Sequence, residues 1–182
     1  MSTLKTLAAV VLAATLPTMA LAADFNLSGG SGTTATATFS SGGIGLNVTS
    51  SSNVSFNSNG LGAKDGFFDA SGIGNNEFLT LTFSQAVNLT SLRLAEWDIP
   101  DNATLSWAGG SRNLVGDGIV STDTETLSGV VGTVFKLQGT SALTTFRLNG
   151  LTAVAAVPEP STYALMGLGL VGIAAVRRRR VR

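Results

Sequence analysis

Short runs in which apolar and polar residues alternate fill the middle of the chain. In the clearest run, residues 79–83, leucine and phenylalanine alternate with threonine, so a strand there would have one buried and one wet face. Pairs such as Asn59-Gly60 and Asp117-Gly118 separate the runs at intervals of roughly 8 to 12 residues, a spacing typical of sandwiches and barrels. The pattern predicts an all-β fold, an antiparallel β-sandwich of jelly-roll-like type. The predicted strands are residues 33–39, 43–49, 53–56, 77–83, 89–97, 103–107, 114–120, 133–137 and 145–154.

The N-terminus has a different pattern. Lys5 precedes an apolar run over residues 7–16, and small residues follow it. A positive start, an apolar centre and a small-residue end predict a secretory signal peptide over residues 1–22, which signal peptidase would remove. The residues that define the predicted cleavage site are Ala20, Ala22 and Ala23.

The strand pattern stops at residues 157–160, Val-Pro-Glu-Pro, where two prolines favour an extended segment that a processing enzyme could grip. Residues 163–176 are then nearly all apolar or glycine, and a helix of that length spans about 21 Å against a hydrocarbon core of about 30 Å. Flanking arginines can reach the interface, so the tail predicts a short transmembrane helix with the β domain outside the cytoplasmic membrane. The residues predicted as the cytoplasmic membrane stop are Arg177, Arg178, Arg179 and Arg180.

These ends leave one passenger domain, residues 23–156, between the signal peptide at 1–22 and a tail at 157–182. The passenger domain holds five basic and ten acidic residues, a net charge of about −5, which disfavours nucleic acid as a partner. The whole chain has no cysteine and no histidine, so thiol catalysis is excluded and the commonest general base is missing. We therefore expect a protein that is not an enzyme.

Carboxylates in the predicted loops are the remaining candidates for chemistry. Calcium takes six to eight oxygen ligands from such loops, but the spacing matches no EF-hand, so solvated loop charges are preferred and no cofactor is expected. Two alternatives stay open. One is a carboxylate-dependent hydrolase that uses Glu96 or Asp98, and the other is a carbohydrate-binding module in which Trp97 or Trp107 stacks on sugar. The candidate calcium ligands are Asp65, Asp69, Glu77, Glu96, Asp98 and Asp101.

The tail resembles the PEP-CTERM protein-sorting domain, also catalogued as the ice-binding protein C-terminal domain, over residues 156–182. The resemblance implies that an exosortase processes the chain at the inner membrane, for display on the cell surface or release into an exopolysaccharide matrix such as a biofilm. The expected partners are signal peptidase, which the N-terminal pattern predicts, together with the exosortase, the cytoplasmic membrane before processing, and exopolysaccharide. A non-catalytic structural or binding role in that matrix is expected. The residues that carry the implied sorting motif are Val157, Pro158, Glu159 and Pro160.

Overall fold

The computed structural model describes residues 22–66, 69–118, 122–156 and 166–170. Antiparallel strands dominate these residues, so the all-β prediction is confirmed. The strands are β1 (Ala22–Asn26), β2 (Gly32–Thr34), β3 (Ala37–Ser41), β4 (Ile44–Ser50), β5 (Asn53–Asn57), β6 (Gly60–Lys64), β7 (Ile73–Gly74), β8 (Phe78–Ala95), β9 (Asn102–Trp107), β10 (Gly110–Val115), β11 (Thr122–Thr126), β12 (Val131–Gly139) and β13 (Thr145–Ala155).

Strand β8 organises the sheet because it belongs to both of its halves. Residues 78–83 lie between β4 and β12, and residues 91–95 lie between β11 and β13. The exposed segment 84–86 links these two parts of the strand. Beyond β12 the first half continues to β9 and β10, and beyond β13 the second half continues to β6, β5 and β2. A single strand of 18 residues therefore ties the whole sheet together.

The buried faces of the two halves share one core. Phe25 of β1 packs edge to face on Phe83 of β8, with ring centroids 6.0 Å apart, and Phe83 packs in the same way on Phe135 of β12 at 5.7 Å. Edge-to-face geometry is a preferred arrangement of aromatic rings. All three rings are buried, and removing each from water contributes about 1.5–3 kcal/mol to folding.

Several predicted strand boundaries need correction. The predicted strands 77–83 and 89–97 are parts of the one strand β8, and the predicted strand 33–39 is split between β2 and β3. The prediction for 114–120 is wrong in its boundaries, because β10 ends at Val115 and pairs along its whole length with β9. Four strands were not predicted: β1, β6, β7 and β11. The jelly-roll-like strand order stays a prediction.

The two ends of the chain lie mostly outside the described residues. This applies to Ala20 and the rest of the predicted signal peptide before Ala22, to the predicted sorting residues and to the predicted membrane stop. The sorting residues are Val157, Pro158, Glu159 and Pro160, and the membrane stop is Arg177, Arg178, Arg179 and Arg180. Of the predicted helix at 163–176, the described part is 166–170, which is helical. Within the described ranges no helix has both the length and the apolar character needed to cross a membrane.

Candidate functional site

The first group of predicted carboxylates fixes turns of the backbone. Asp69 accepts hydrogen bonds from the backbone N–H groups of Asp65 and Ser71, at 2.5 and 3.1 Å. Glu77 accepts one from the N–H of Gly74 at 2.7 Å. Burial raises the pKa of Glu77, the Gly74 hydrogen bond opposes that shift, and the nearby charges of Asp69 and Asp65 add to it. The side chains of Asp69 and Glu77 therefore support local structure, whereas Asp65 contributes its backbone N–H.

The second group holds the loop after β8. Asp101 is 4 % exposed, and it accepts hydrogen bonds from the backbone N–H of Asp98 at 2.9 Å and of Thr145 at 3.0 Å. It thereby fastens the loop to the start of β13. Asp98 itself is exposed. In the part of the chain that the structure describes, no three carboxylates come together as a metal site would require, so calcium binding stays a prediction.

Arg147 and Glu96 form the most unusual ionic contact. Arg147 of β13 lies opposite Ala95, the last residue of β8, and Glu96 follows with a positive φ of 57°. That backbone conformation is uncommon for a residue with a side chain, and it accompanies a contact of 3.4 Å between the Glu96 Oε2 and the Arg147 Nε. Asn59 Nδ2 donates to the other Glu96 oxygen at 2.7 Å. The β8–β13 register therefore places the Glu96 carboxylate beside the Arg147 guanidinium.

The guanidinium of Arg147 is buried and weakly bonded. The residue is 4 % exposed, and its Nη1 donates to Ser55 Oγ and to the Gly60 carbonyl at 3.4 and 3.5 Å, beyond the usual hydrogen-bond distance. Its Nε has no hydrogen-bond partner among the described residues. Burial lowers the pKa of Arg147, while Glu96 and Asp69 oppose that shift. A buried cation with long hydrogen bonds is a candidate for binding a ligand.

A cavity of about 300 Å³ borders this arginine. Its walls come from β2, from the β5–β6 hairpin and from the loop before β7. Lys64 contributes a second positive charge, and Ser71 has a positive φ of 62°. The sequence analysis did not single out this site. Arg147 sits within an apolar strand pattern, but nothing in the pattern shows that its side chain is buried. The polar residues that line the cavity include Thr33, Ser55, Asn57, Lys64, Ser71 and Arg147.

The two tryptophans have different environments. Trp97 is 1 % exposed and packs inside the core, so it cannot stack on a sugar, and that part of the carbohydrate-binding alternative is wrong. Trp107 is half-buried at the end of β9 and borders a second cavity of about 420 Å³. Lys136 and Val134 line the same cavity. Trp107 therefore remains available as a stacking surface.

The first and last strands of the domain are partners. Ala22 of β1 pairs with Val154 of β13, and Ala23 pairs with Ala153. Ala23 is fully buried, whereas Ala22 is exposed. The last backbone hydrogen bond at this end runs from the Ala156 N–H to the Ala86 carbonyl at 2.9 Å. The predicted signal-cleavage bond and the start of the tail therefore lie side by side.

A search of curated proteins finds no match to the chain. The family model for the PEP-CTERM protein-sorting motif matches residues 156–180, and it begins at Ala156, whose N–H donates to the Ala86 carbonyl of the β domain. This motif marks a chain for export and for sorting by an exosortase at the membrane. The chain is therefore an exported protein that carries a C-terminal PEP-CTERM protein-sorting motif.

Proposed function

We propose that residues 23–156 form a non-catalytic binding or structural domain of the cell surface or exopolysaccharide matrix. Its two terminal segments would deliver it there. Signal peptidase removes residues 1–22, and the tail at 157–182 holds the protein in the inner membrane until an exosortase processes it.

The pairing of β1 with β13 is the observation that carries this proposal. Because Ala22 and Val154 are partners in one ladder, both terminal segments leave the domain at the same place. A signal peptide enters the membrane from the cytoplasmic side and an arginine-ended tail returns to that side, so both junctions would lie on the outer surface. Cleavage at both junctions leaves the described core residues together, because that core runs from Ala23 to Ala153.

Two of the candidate carboxylates, Glu96 and Asp101, support a non-catalytic role. Glu96 contacts Arg147 and Asn59, and Asp101 is buried with both oxygens accepting backbone hydrogen bonds. A glycosidase needs two carboxyl groups that face a common substrate across a defined gap. The carboxylates of Glu96 and Asp101 already make contacts that stabilise the protein, so they are poorly suited to catalysis.

Mass spectrometry of the protein from its native host tests the sorting part of the proposal. We expect the surface or matrix form to begin at Ala23 and to lack the arginine cluster. A strain without the exosortase should retain the intact C-terminus at Arg182 in the inner membrane. The variant Pro158→Ala/Glu159→Ala should do the same, and Ser28→Ala is the control outside the tail. An extracellular wild-type form that still ends at Arg182 would contradict the proposed processing.

A carbohydrate-binding module is the second candidate, and the position of Trp107 favours it. A half-buried indole on a cavity with Lys136 offers an apolar face for a sugar ring and a charged group for its substituents. Affinity electrophoresis in gels that contain the host exopolysaccharide would test it. Trp107→Ala should abolish the retardation of the protein, whereas Lys136→Ala should weaken it. Retardation unchanged by Trp107→Ala would exclude this cavity as the binding site.

A further inference from the structure

The cavity beside Arg147 has the chemistry of a site for an organic anion. Its arginine is almost fully buried, yet the two hydrogen bonds of Nη1 are 3.4 and 3.5 Å long. An ordinary N–H to oxygen hydrogen bond is about 2.9 Å long. The protein thus bears the cost of burying a guanidinium without bonding it tightly. An oxyanion in the cavity would supply the missing short bonds.

The surrounding charges restrict what kind of anion fits. Lys64 lines the cavity, and it forms no ion pair with a described residue. Glu96 contacts Arg147 directly, at 3.4 Å from its Nε, and the nearby charge of Asp69 also raises the pKa of this guanidinium. Because these two acidic groups already offset the positive charge, a ligand with one negative charge fits better than one with two. The net charge of about −5 on the domain repels a dense polyanion at long range. The cavity must therefore recognise a single anionic group of its ligand at short range.

The rest of the cavity wall consists mostly of small or hydroxyl-bearing residues, together with the aromatic ring of Phe56. Thr33, Ser55 and Ser71 supply hydroxyl groups, and Asn57 supplies an amide. Ser55 Oγ already donates to the Ser71 carbonyl at 2.5 Å, which holds the β5 wall against the loop before β7. A volume of about 300 Å³ lies at the lower end of the range for small-molecule sites. These features suit one compact, hydroxylated ligand.

The local backbone is adapted to this arrangement. Three described residues other than glycine have a positive φ, and two of them, Ser71 and Glu96, flank Arg147. Such conformations cost free energy and persist where the surrounding structure enforces them. Gly62 adds a second adaptation, because a Cβ at this position would overlap the carbonyl of Ser71. The chain approaches itself closely here to form the wall of the cavity.

We propose that the Arg147 cavity binds a sugar acid, with its carboxylate on Arg147 and Lys64 and its hydroxyl groups on the polar wall. This inference rests on the proposed function, since it names the ligand class that the exported domain would hold. Arg147 would bind the ligand carboxylate through directional, charge-assisted hydrogen bonds, and Lys64 would add a second positive charge beside the same carboxylate. Glu96 contacts the Nε of the guanidinium and so helps to position it.

Isothermal titration of the full-length protein in detergent tests this site, with D-glucuronate, glucose and inorganic phosphate as probes. We expect binding of glucuronate and no measurable binding of glucose, which lacks the carboxylate. Lys64→Ala should weaken the affinity for glucuronate at least about tenfold, because a charge-assisted hydrogen bond is lost. Arg112→Ala removes an exposed positive charge on β10 and should leave the affinity unchanged.

Arg147→Lys serves as the second variant, because it keeps the charge but loses the planar fork. It should weaken glucuronate while circular dichroism remains that of the wild type. Equal affinity in wild type, Lys64→Ala and Arg147→Lys would overturn the assignment, as would equal binding of glucose or tighter binding of phosphate. Absence of glucuronate binding would also overturn it. That outcome would leave the processing of the two termini unaffected, so the two proposals can fail separately.

Discussion

Trp97 and Phe146 pack edge to face, with ring centroids 4.9 Å apart and ring planes at 75°. Trp97 lies two residues after the end of β8, and Phe146 is the second residue of β13. Their contact therefore closes the end of the core at which the two strands meet. Both residues are fully buried. The contact also explains why Trp97 serves packing and not ligand binding.

Truncating this pair should strongly reduce stability. We expect Phe146→Ala to lower the free energy of unfolding by about 3–5 kcal/mol, because the apolar contact is lost and a cavity remains. Leu143→Ala is the control, since Leu143 is 75 % exposed and its loss should change stability by no more than about 0.5 kcal/mol. Urea unfolding followed by tryptophan fluorescence measures both. Similar losses in the two variants would contradict this account of the core.

Two glycines with positive φ should respond differently to alanine. Gly60 has φ +123°, and a Cβ there would overlap the carbonyl of Leu148. Gly30 has φ +78° with nothing within 4 Å of a Cβ. We expect Gly30→Ala to cost about 1–2 kcal/mol from backbone strain alone. Gly60→Ala should cost about 2–5 kcal/mol, because overlap adds to the strain. Equal losses in urea unfolding would show that the close approach of β6 to β13 is unimportant.

The raised pKa of Glu77 gives a pH dependence with a defined sign. Burial disfavours the charged carboxylate in the folded state, so the folded pKa lies above the ordinary value of 4.5. The protein then gains stability as the pH falls through the raised pKa, and the gain is complete below 4.5. Burial also raises the pKa of Glu125, and the nearby charge of Asp123 raises it further. Glu125 therefore also adds to the stability that the protein gains as the pH falls.

Glu77→Gln isolates this contribution because its amide oxygen can still accept the Gly74 hydrogen bond. We expect the melting temperature of the wild type to rise relative to that of the variant as the pH is lowered from 7 to about 4. Thermal unfolding at both pH values measures the difference. A constant difference between the two proteins would contradict the raised pKa.

Signal cleavage should precede closure of the β domain. Ala23 is buried and pairs with Ala153, so the bond between Ala22 and Ala23 is inaccessible once β1 has docked on β13. We expect the refolded full-length precursor to resist purified signal peptidase in detergent. Ala153→Pro removes a backbone donor from the partner strand and should restore cleavage. Rapid cleavage of the folded wild-type precursor would contradict this order.

The alternating runs were the part of the fold that the sequence could predict. The strand that contains Leu79, Leu81 and Phe83 was predicted because these three side chains are buried in the core and alternate with threonine. Its continuation into the next run was missed because the buried positions change from odd to even beyond Leu89. The irregular register between Thr152 and Ala153 of β13 accommodates that change.

There are physical reasons why some strands were not predicted. Strand β6 contains two glycines and resembles a turn in sequence, but Gly60 and Gly62 are needed for close backbone contact. Strand β11 is polar throughout because it lies at an edge with its side chains exposed or half-buried. Arg147 could not be singled out, since its burial depends on the β5–β6 hairpin that covers one side of β13.

The position of β13 has a mechanical consequence. This strand is hydrogen-bonded to β8 along one edge and to β1 along the other, and the sorting tail continues directly from its end. In the anchored state that we propose, any pull on the tail would enter the domain through this doubly bonded strand. Force along the strand axis loads both ladders in shear, so many hydrogen bonds share the tension at once. We therefore expect the β domain to remain intact when force is applied to its C-terminal end.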